Sequence, residues 1–513
     1  MNRIATLKEY RDVLNDAGLV VQSLRADDLL CAEVLRVTYD SRESEAGTLF
    51  VCKGAAFKES YVVDAIERGA VAWVSEQAHD VGGGIVVNDI RKAMAVLANY
   101  YYDEPWKYFP LIGLAGTKGK TTTLYFLKNI IEAATNRPEG VGFLSSVETY
   151  DGRQRFESHL TTPEALVLAQ HFDCVRETGL WGMVMEVSSQ ALKYDRTLGI
   201  VFDVGCFLNF GVDHIGENEH VDEEDYFTSK LKFFDQCALV CLNAETDGLE
   251  RILDRISRSG ACKRLVLFSP SGLEACKEHA VDYAACDIHM RDGLTEFCIR
   301  KRTGQGSNVW EDAGIFSLSI RGLFNVENAL AAAVVAFELG LPVESIRQGL
   351  LETSVAGRME VFENEERHVV VIVDYAHNRM SFERLYASTK KEYPGWRIEA
   401  IFGCPGGKGL QRREELPDIA AYYADFTWIT EEDAGEEDVL AISVGLAKRL
   451  AELGAPARIV LDREEAIRTA IEGAAENTVI VMTGKGRENY QKRGTEYVPV
   501  ESDVELVAKY LWK

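Results

Sequence analysis

A chain of 513 residues, 47% hydrophobic and 27% charged, exceeds what one hydrophobic core organises and fits a soluble protein of about two to four domains. Its 56 basic and 81 acidic residues give a net charge of −25, a field that repels nucleic-acid phosphates but leaves a nucleotide substrate open, because a Gly-rich loop acts locally. No apolar run reaches the ~18 residues of a membrane span, and Met1-Asn2-Arg3-Ile4 lacks an apolar signal core, so a cytoplasmic protein is expected, with no membrane contact.

Eleven cysteines without a CxxC pair suit reduced core thiols, and Cys237 with Cys241 would make only half a zinc site. Up to about Trp106, short β-rich runs (Thr48-Leu49-Phe50-Val51, Val71-Ala72-Trp73-Val74, Ile85-Val86-Val87) alternate with helical patterns such as 61–69. The aromatic, Pro-marked stretch from Tyr100 to Trp106 reads as a boundary. A second segment opens on Leu111-Ile112-Gly113-Leu114-Ala115, breaks into Gly116-Thr117-Lys118-Gly119-Lys120-Thr121, and continues as a helical pattern over 122–133. Strand, Gly-rich turn and helix form the phosphate-binding arrangement of an α/β nucleotide domain. Further apolar runs at 182–187, 202–208, 239–242 and 265–267 alternate with helices, as in a mostly parallel sheet, and an Ala-rich helix covers 326–339. From near Gly357, runs at 369–373, 398–402, 426–429 and 479–482 indicate another open α/β sheet. Ligands of such sheets bind beyond the carboxyl ends of the strands.

A phosphate cradle needs backbone N–H groups free of side chains, a lysine for the outer phosphates and a hydroxyl for magnesium. Gly119, Lys120 and Thr121 supply these parts, although Leu114 stands where the strict motif has its first glycine. The string from Gly116 to Thr123 resembles the ATP loop of the Mur ligases and of the related folylpolyglutamate synthetases. Further blocks recur in Mur order: Tyr39-Asp40-Ser41-Arg42, Leu160-Thr161-Thr162-Pro163-Glu164, Met185-Glu186-Val187-Ser188-Ser189-Gln190, Asp213-His214, Tyr226 with Lys230, Phe324-Asn325-Val326-Glu327-Asn328, Gly357-Arg358-Met359-Glu360, Asp374-Tyr375-Ala376-His377-Asn378 and Gly484-Lys485-Gly486. The resemblance spans nearly the whole chain and is strongest to the branch adding the third residue of the stem peptide.

That resemblance implies an α/β fold of three domains: an N-terminal UDP-binding domain (1–107), a central P-loop ATPase domain with a mostly parallel sheet (108–352) and a C-terminal Rossmann-like domain (353–513). It implies an ATP- and Mg2+-dependent ligase that phosphorylates a peptide carboxylate of UDP-N-acetylmuramoyl-L-alanyl-D-glutamate and lets a free diamino acid attack the acyl phosphate. Negative charge crowds such a transfer, so cations and N–H groups must surround it. Lys120, Glu186, His214 and Lys230 carry over as the catalytic set. Gly116, Thr117, Lys118, Gly119, Lys120, Thr121, Thr122, Asn328, Arg358 and Asp374 carry over as ATP contacts. Thr121, Glu186, His214 and a carbamylated Lys230 would be metal ligands; from the residues alone, Lys230 is a solvated lysine. Ser41, Thr161, Thr162, Ser188 and Arg196 match positions holding the UDP-peptide, with Arg42 in the same block as Ser41. His377 reads as a structural member of its motif.

Arg413, Glu432, Asp433, Gly484 and Glu488 match the amino-acid site. Diaminopimelate-adding ligases carry Asp-Asn-Pro-Arg, and here Gly435 stands at the arginine position amid Glu431, Glu432, Asp433, Glu436, Glu437 and Asp438. Acidic surroundings suit an ammonium, which favours L-lysine over diaminopimelate and leaves ornithine as an alternative. A folylpolyglutamate synthetase is disfavoured by the domain preceding the P-loop. A non-catalytic UDP-peptide-binding paralogue is disfavoured by retention of the whole catalytic set. A monomer is the default expectation.

Overall fold

The computed structural model describes residues 3–24, 29–54, 57–158, 160–213, 215–216, 220–272, 279–291, 293–304 and 309–513. Among these, three main sheets follow one another along the chain. The first orders its strands Val20–Leu24, Gly84–Val87, Ala70–Ser75, Thr48–Val51 and Arg36–Thr38, parallel except at the Val20–Leu24 edge. The short β-rich runs of the sequence are the inner strands of this sheet.

The second sheet has 11 strands. Its parallel block runs from Gly142–Leu144 through Met183–Glu186, Leu111–Ala115, Phe202–Phe207, Cys237–Asn243 and Arg264–Ser269 to Tyr283–Arg291. Every residue of Leu111–Ala115 is buried, as expected of a central parallel strand covered on both faces. Gly113 in its middle makes room for rings: a Cβ there would lie 2.7 Å from Phe202 and 3.0 Å from Phe233. Cys237 and Cys241 belong to the buried strand Cys237–Asn243 and are free thiols, and no metal-ligating cluster occurs among the described residues. Leu294–Arg302 and Trp310–Leu318 extend the sheet antiparallel. The sequence reading did not anticipate them, although the buried alternation Thr295, Phe297, Ile299 is a half-exposed strand pattern.

The third sheet orders Glu360–Asn364, Val369–Asp374, Thr478–Thr483, Arg397–Phe402, Phe426–Ile429 and Ala457–Ile459, parallel except at its first edge. The helix Asn325–Glu338, buried from Asn325 to Ala336, packs on the second sheet, and its Glu327 pairs with Arg384 of the third sheet's domain at 2.8 Å. Its alanines allow close approach, and one apolar cluster runs from Leu114 and Ile130 through Ala329 and Leu330 to Ile372, Phe382 and Phe402. The carboxyl ends of strands from both sheets, at Glu186 and Asp374, line one cavity. No helix among the described residues is long and apolar enough to cross a membrane.

Candidate active site

The strand Leu111–Ala115 ends in a turn that only glycines make cheaply: Gly116 has φ 138° and Gly119 φ 88°. Gly119 is also where the wall comes closest, since a Cβ would sit 2.1 Å from Asn328 Oδ1. The helix Lys120–Thr135 begins at once, so its unpaired N–H groups and positive end face the turn. A cavity of about 390 Å³ opens above it. Six cations line that cavity (Lys118, Lys120, Lys230, Arg196, Arg358 and Arg384) against the two carboxylates Glu186 and Asp374, which suits a polyanion.

Two ammonium groups share one carbonyl. Lys120 donates to Gly116 O at 3.0 Å and to Thr117 O at 3.1 Å, while Lys230 donates to the same Gly116 O at 2.8 Å. Burial, then Lys120, pushes Lys230 well below the usual lysine range. Burial likewise lowers Lys120, and lowers Lys118 to about 8 although Asp213 lies 3.3 Å away. Lys230 is 2% exposed, which corrects its reading as a solvated lysine.

Glu186 ends the strand Met183–Glu186 and is 2% exposed. Its Oε1 accepts from Thr121 Oγ1 at 2.8 Å and from the Ser146 N–H at 2.9 Å. A hydroxyl and a carboxylate at this spacing are hard oxygen donors of the kind Mg2+ takes, so the residues fit that ion. His214 lies outside the described residues. Thr162 donates to Glu186 O at 2.9 Å and accepts from the Ser188 N–H at 3.0 Å. Arg196 donates to Thr162 O at 3.0 Å and pairs with Glu164 at 2.8 Å, and Glu164 also binds Lys53 of the first sheet's domain. Arg196 Nε is buried without a partner, an N–H ready for an anion. Thr161, Ser188 and Arg196 line the cavity, with Thr162 just behind.

Opposite, Asp374 ends its strand and accepts from the Met359 N–H at 2.8 Å and the Ala376 N–H at 2.7 Å, while Arg358 covers the Tyr375 ring. Asn328 Oδ1 is buried with no hydrogen-bond partner, an acceptor facing the nucleotide loop. The loop, Thr122, Asn328, Arg358, Asp374, Glu186 and Lys230 thus converge on one space. Ser41 is not among its walls: it is buried in the turn Ser41–Glu43, and Arg42 is folded onto Asp40. Sequence reasoning missed Asn209, which accepts from the Lys118 N–H at 2.9 Å, donates to Lys118 O at 3.1 Å and donates to Glu327 at 2.9 Å. The available signal was a polar residue just past the strand Phe202–Phe207, where ligands gather.

Arg413, Glu432, Asp433, Gly484 and Glu488 lie outside the cavity, and Glu488 is linked to it through Tyr375, whose hydroxyl donates to Glu488 at 2.5 Å. The acidic loop is not a face of unpaired carboxylates. Asp433 and Glu488 enclose Lys485 Nζ at 2.9 and 2.5 Å, and Lys485 is 1% exposed. Glu431 holds Arg493 at 2.6 Å, Glu437 holds Arg413 at 2.9 Å, and Asp438 caps the helix Val439–Glu452. Glu432 is buried between glycines: a Cβ on Gly484 would meet its carboxylate at 2.2 Å, and one on Gly403 its Cβ at 2.9 Å. Burial pushes Glu432 up to about 7 against the pull of Arg463, Arg412 and Lys485.

A cation-lined P-loop pocket between two α/β sheets defines a nucleotide-dependent group-transfer enzyme, and comparison with known proteins specifies which. Residues 114–336 match the Mur ligase middle domain and residues 357–486 the Mur ligase glutamate ligase domain. The chain is 36% identical to the UDP-N-acetylmuramoyl-L-alanyl-D-glutamate–L-lysine ligase of Enterococcus faecalis, over 95% of this chain and 94% of that one. It is 33% identical to a UDP-N-acetylmuramyl-tripeptide synthetase of Lactobacillus delbrueckii subsp. bulgaricus, over 96% of each. A solved UDP-N-acetylmuramoyl-L-alanyl-D-glutamate–2,6-diaminopimelate ligase shares the fold with a TM-score of 0.66 at 20% identity, covering 99% of both chains. The chain belongs to the Mur ligase family and is an ATP-dependent ligase.

Proposed function

We propose that this ligase joins a diamino acid, L-lysine foremost, to UDP-N-acetylmuramoyl-L-alanyl-D-glutamate, in the cytoplasm and as a monomer. The observation that carries the reading is the pair of ammonium groups of Lys120 and Lys230 on the Gly116 carbonyl, beside the Thr121–Glu186 pair. It rests as well on the L-lysine ligase named among the relatives. Residues 1–107 hold the uridine end through Ser41, residues 108–352 carry ATP and the peptide carboxylate, and residues 353–513 bring the amino acid.

Lys118, Lys120 and the loop N–H groups hold the outer phosphates in line with the D-glutamate carboxylate, which Arg196, Thr161, Thr162 and Ser188 orient with its diphosphate. Asn328, Arg358 and Asp374 hold the nucleoside. Thr121, Glu186, His214 and Lys230 as its carbamate would bind Mg2+, which screens phosphate charge when present. Burial of Lys230 favours its neutral amine, the form that reacts with carbon dioxide, and the carbamate would place a second anion in the cavity that Glu186 lines. The carboxylate oxygen takes the γ-phosphoryl group and ADP leaves. The amine then forms the C–N bond as the acyl C–O bond breaks, and phosphate departs with the electron pair. Arg413 holds the α-carboxylate of the amino acid, and Glu432, Asp433, Gly484 and Glu488 surround its amines.

Gly435 removes the arginine that would grip a second carboxylate, and that position separates lysine from diaminopimelate. The test is phosphate release with the UDP-linked dipeptide and lysine, ornithine or diaminopimelate in turn. Lysine should give the highest kcat/KM; a higher value with diaminopimelate overturns the specificity, and no release with any of them overturns the reaction.

A further inference from the structure

The buried carboxylate of Asp213 receives groups from three separate parts of the chain. Lys118 of the nucleotide loop stands 3.3 Å from Oδ2, Asn378 Nδ2 donates to Oδ2 at 2.6 Å, and the Arg412 guanidinium stands 3.8 Å from Oδ1. The side chain of Asp213 is only 4% exposed, so these neighbours rather than water neutralise it. Asn378 caps the helix Arg379–Glu392, and Arg412 opens the helix Arg412–Tyr423, both in the third sheet's domain. Arg413, next in sequence, donates to Pro405 O at 3.0 Å and holds Glu437 of the acidic loop. One carboxylate therefore meets the nucleotide loop on one side and, on the other, Arg412, the neighbour in sequence of Arg413.

We propose that Asp213 is the joint through which an occupied nucleotide loop positions the amino-acid-binding helix; this rests on the functional reading above. Lys118 has two possible anions, the Asp213 carboxylate and the phosphates that enter the cavity it lines. Its backbone is clamped by Asn209, so only the ammonium end is free to change partner. When phosphates draw the ammonium away, Asp213 keeps the Asn378 amide donor and the Arg412 cation among its partners and holds them more tightly. The third domain is thereby seated with Arg413 in register, so nucleotide binding raises the affinity for the amino acid. Linkage requires the converse, tighter nucleotide binding when the amino acid is present.

Asn378→Asp tests this, because aspartate caps a helix as well as asparagine does but sets a second carboxylate against Asp213. Lysine binding to the full-length enzyme is titrated by calorimetry with the UDP-linked dipeptide present, with and without a non-hydrolysable ATP analogue. In the wild type the analogue should tighten lysine binding about tenfold. In Asn378→Asp that ratio should fall to near one, with the affinity for the analogue alone changed less than about twofold. Lys118→Gln separates the joint from general damage. It should bind lysine without nucleotide as tightly as the wild type does with it, whereas a misfolded or merely weakened protein would bind less tightly. A wild-type ratio near one, variants that keep the wild-type ratio, or weakened lysine binding in Lys118→Gln each overturn the joint. A wild type that binds no diamino acid under any condition overturns the functional reading instead, and the joint with it.

Discussion

The nucleotide cavity and the acidic loop of the third domain are both crowded with charge, yet they are built on opposite plans. In the cavity, like charges converge with too few counter-charges: Lys120 and Lys230 share one loop carbonyl, Lys118 lies nearby, and burial holds all three below their usual range. Such a site is unfinished without a polyanion, and its own repulsion favours ligand binding. In the loop, the chain supplies the opposite charge itself, as Lys485, Arg493 and Arg413 pair off Asp433, Glu488, Glu431 and Glu437. The difference teaches that a local excess of one charge in the sequence predicts a ligand only where distant parts of the chain do not complete it.

Removing a cation should therefore have different consequences in the two places. Lys120→Ala takes away a group that acts on the substrate, so kcat for phosphate release should fall about 10³-fold or more, while the melting transition stays close to wild type. Measured ATP turnover within tenfold of wild type would remove Lys120 from the catalytic set. Lys485→Met takes away a counter-charge instead, leaving Asp433 and Glu488 facing each other around a buried apolar chain. Breaking a buried pair in this way costs about 3–5 kcal/mol, and urea unfolding followed by tryptophan fluorescence would register it. If Lys485→Met unfolds like wild type but loses lysine binding, the loop resembles the cavity after all and the contrast fails.

The same contrast explains what the sequence made legible. Strands such as Leu111–Ala115, Thr48–Val51 and Phe426–Ile429 were readable because burial on both faces leaves continuous apolar runs. The phosphate loop was readable because its glycines and its lysine must be adjacent in sequence to act together, and Glu186 and Asp374 because a carboxylate ending an apolar strand has few other uses. The extension Leu294–Arg302 with Trp310–Leu318 was not, since its half-exposed strands carry a weaker alternating pattern. Asn209 and Asp213 were legible only in part, because their roles depend on partners more than 90 residues away. The pairing of the acidic loop was not legible for the same reason, as its counter-ions Lys485 and Arg493 follow it by more than 50 residues.

Glu432 is the buried loop carboxylate that forms no ion pair among the described residues, and it offers the subtlest test of the contrast. Burial raises it from an ordinary value of 4.5 to about 7, and Arg463, its nearest opposing influence, is already engaged by Asp503 at 2.7 Å. A carboxylate raised in the folded chain keeps its proton in a window where the unfolded chain has released it. Stability must therefore fall as pH rises from about 4.5 to about 7, and level off above. At about 1.4 kcal/mol per pK unit the penalty reaches at most about 3 kcal/mol at pH 8. Glu432→Gln carries no proton to lose, so it should match the wild type in urea unfolding at pH 5 and exceed it at pH 8. The opposite order, a variant weaker at pH 8, would mean that the ionised carboxylate is fully satisfied by Arg463, Arg412 and Lys485. Glu432 would then join its neighbours as a paired group, and the loop would have no buried charge left over with which to meet an incoming ammonium.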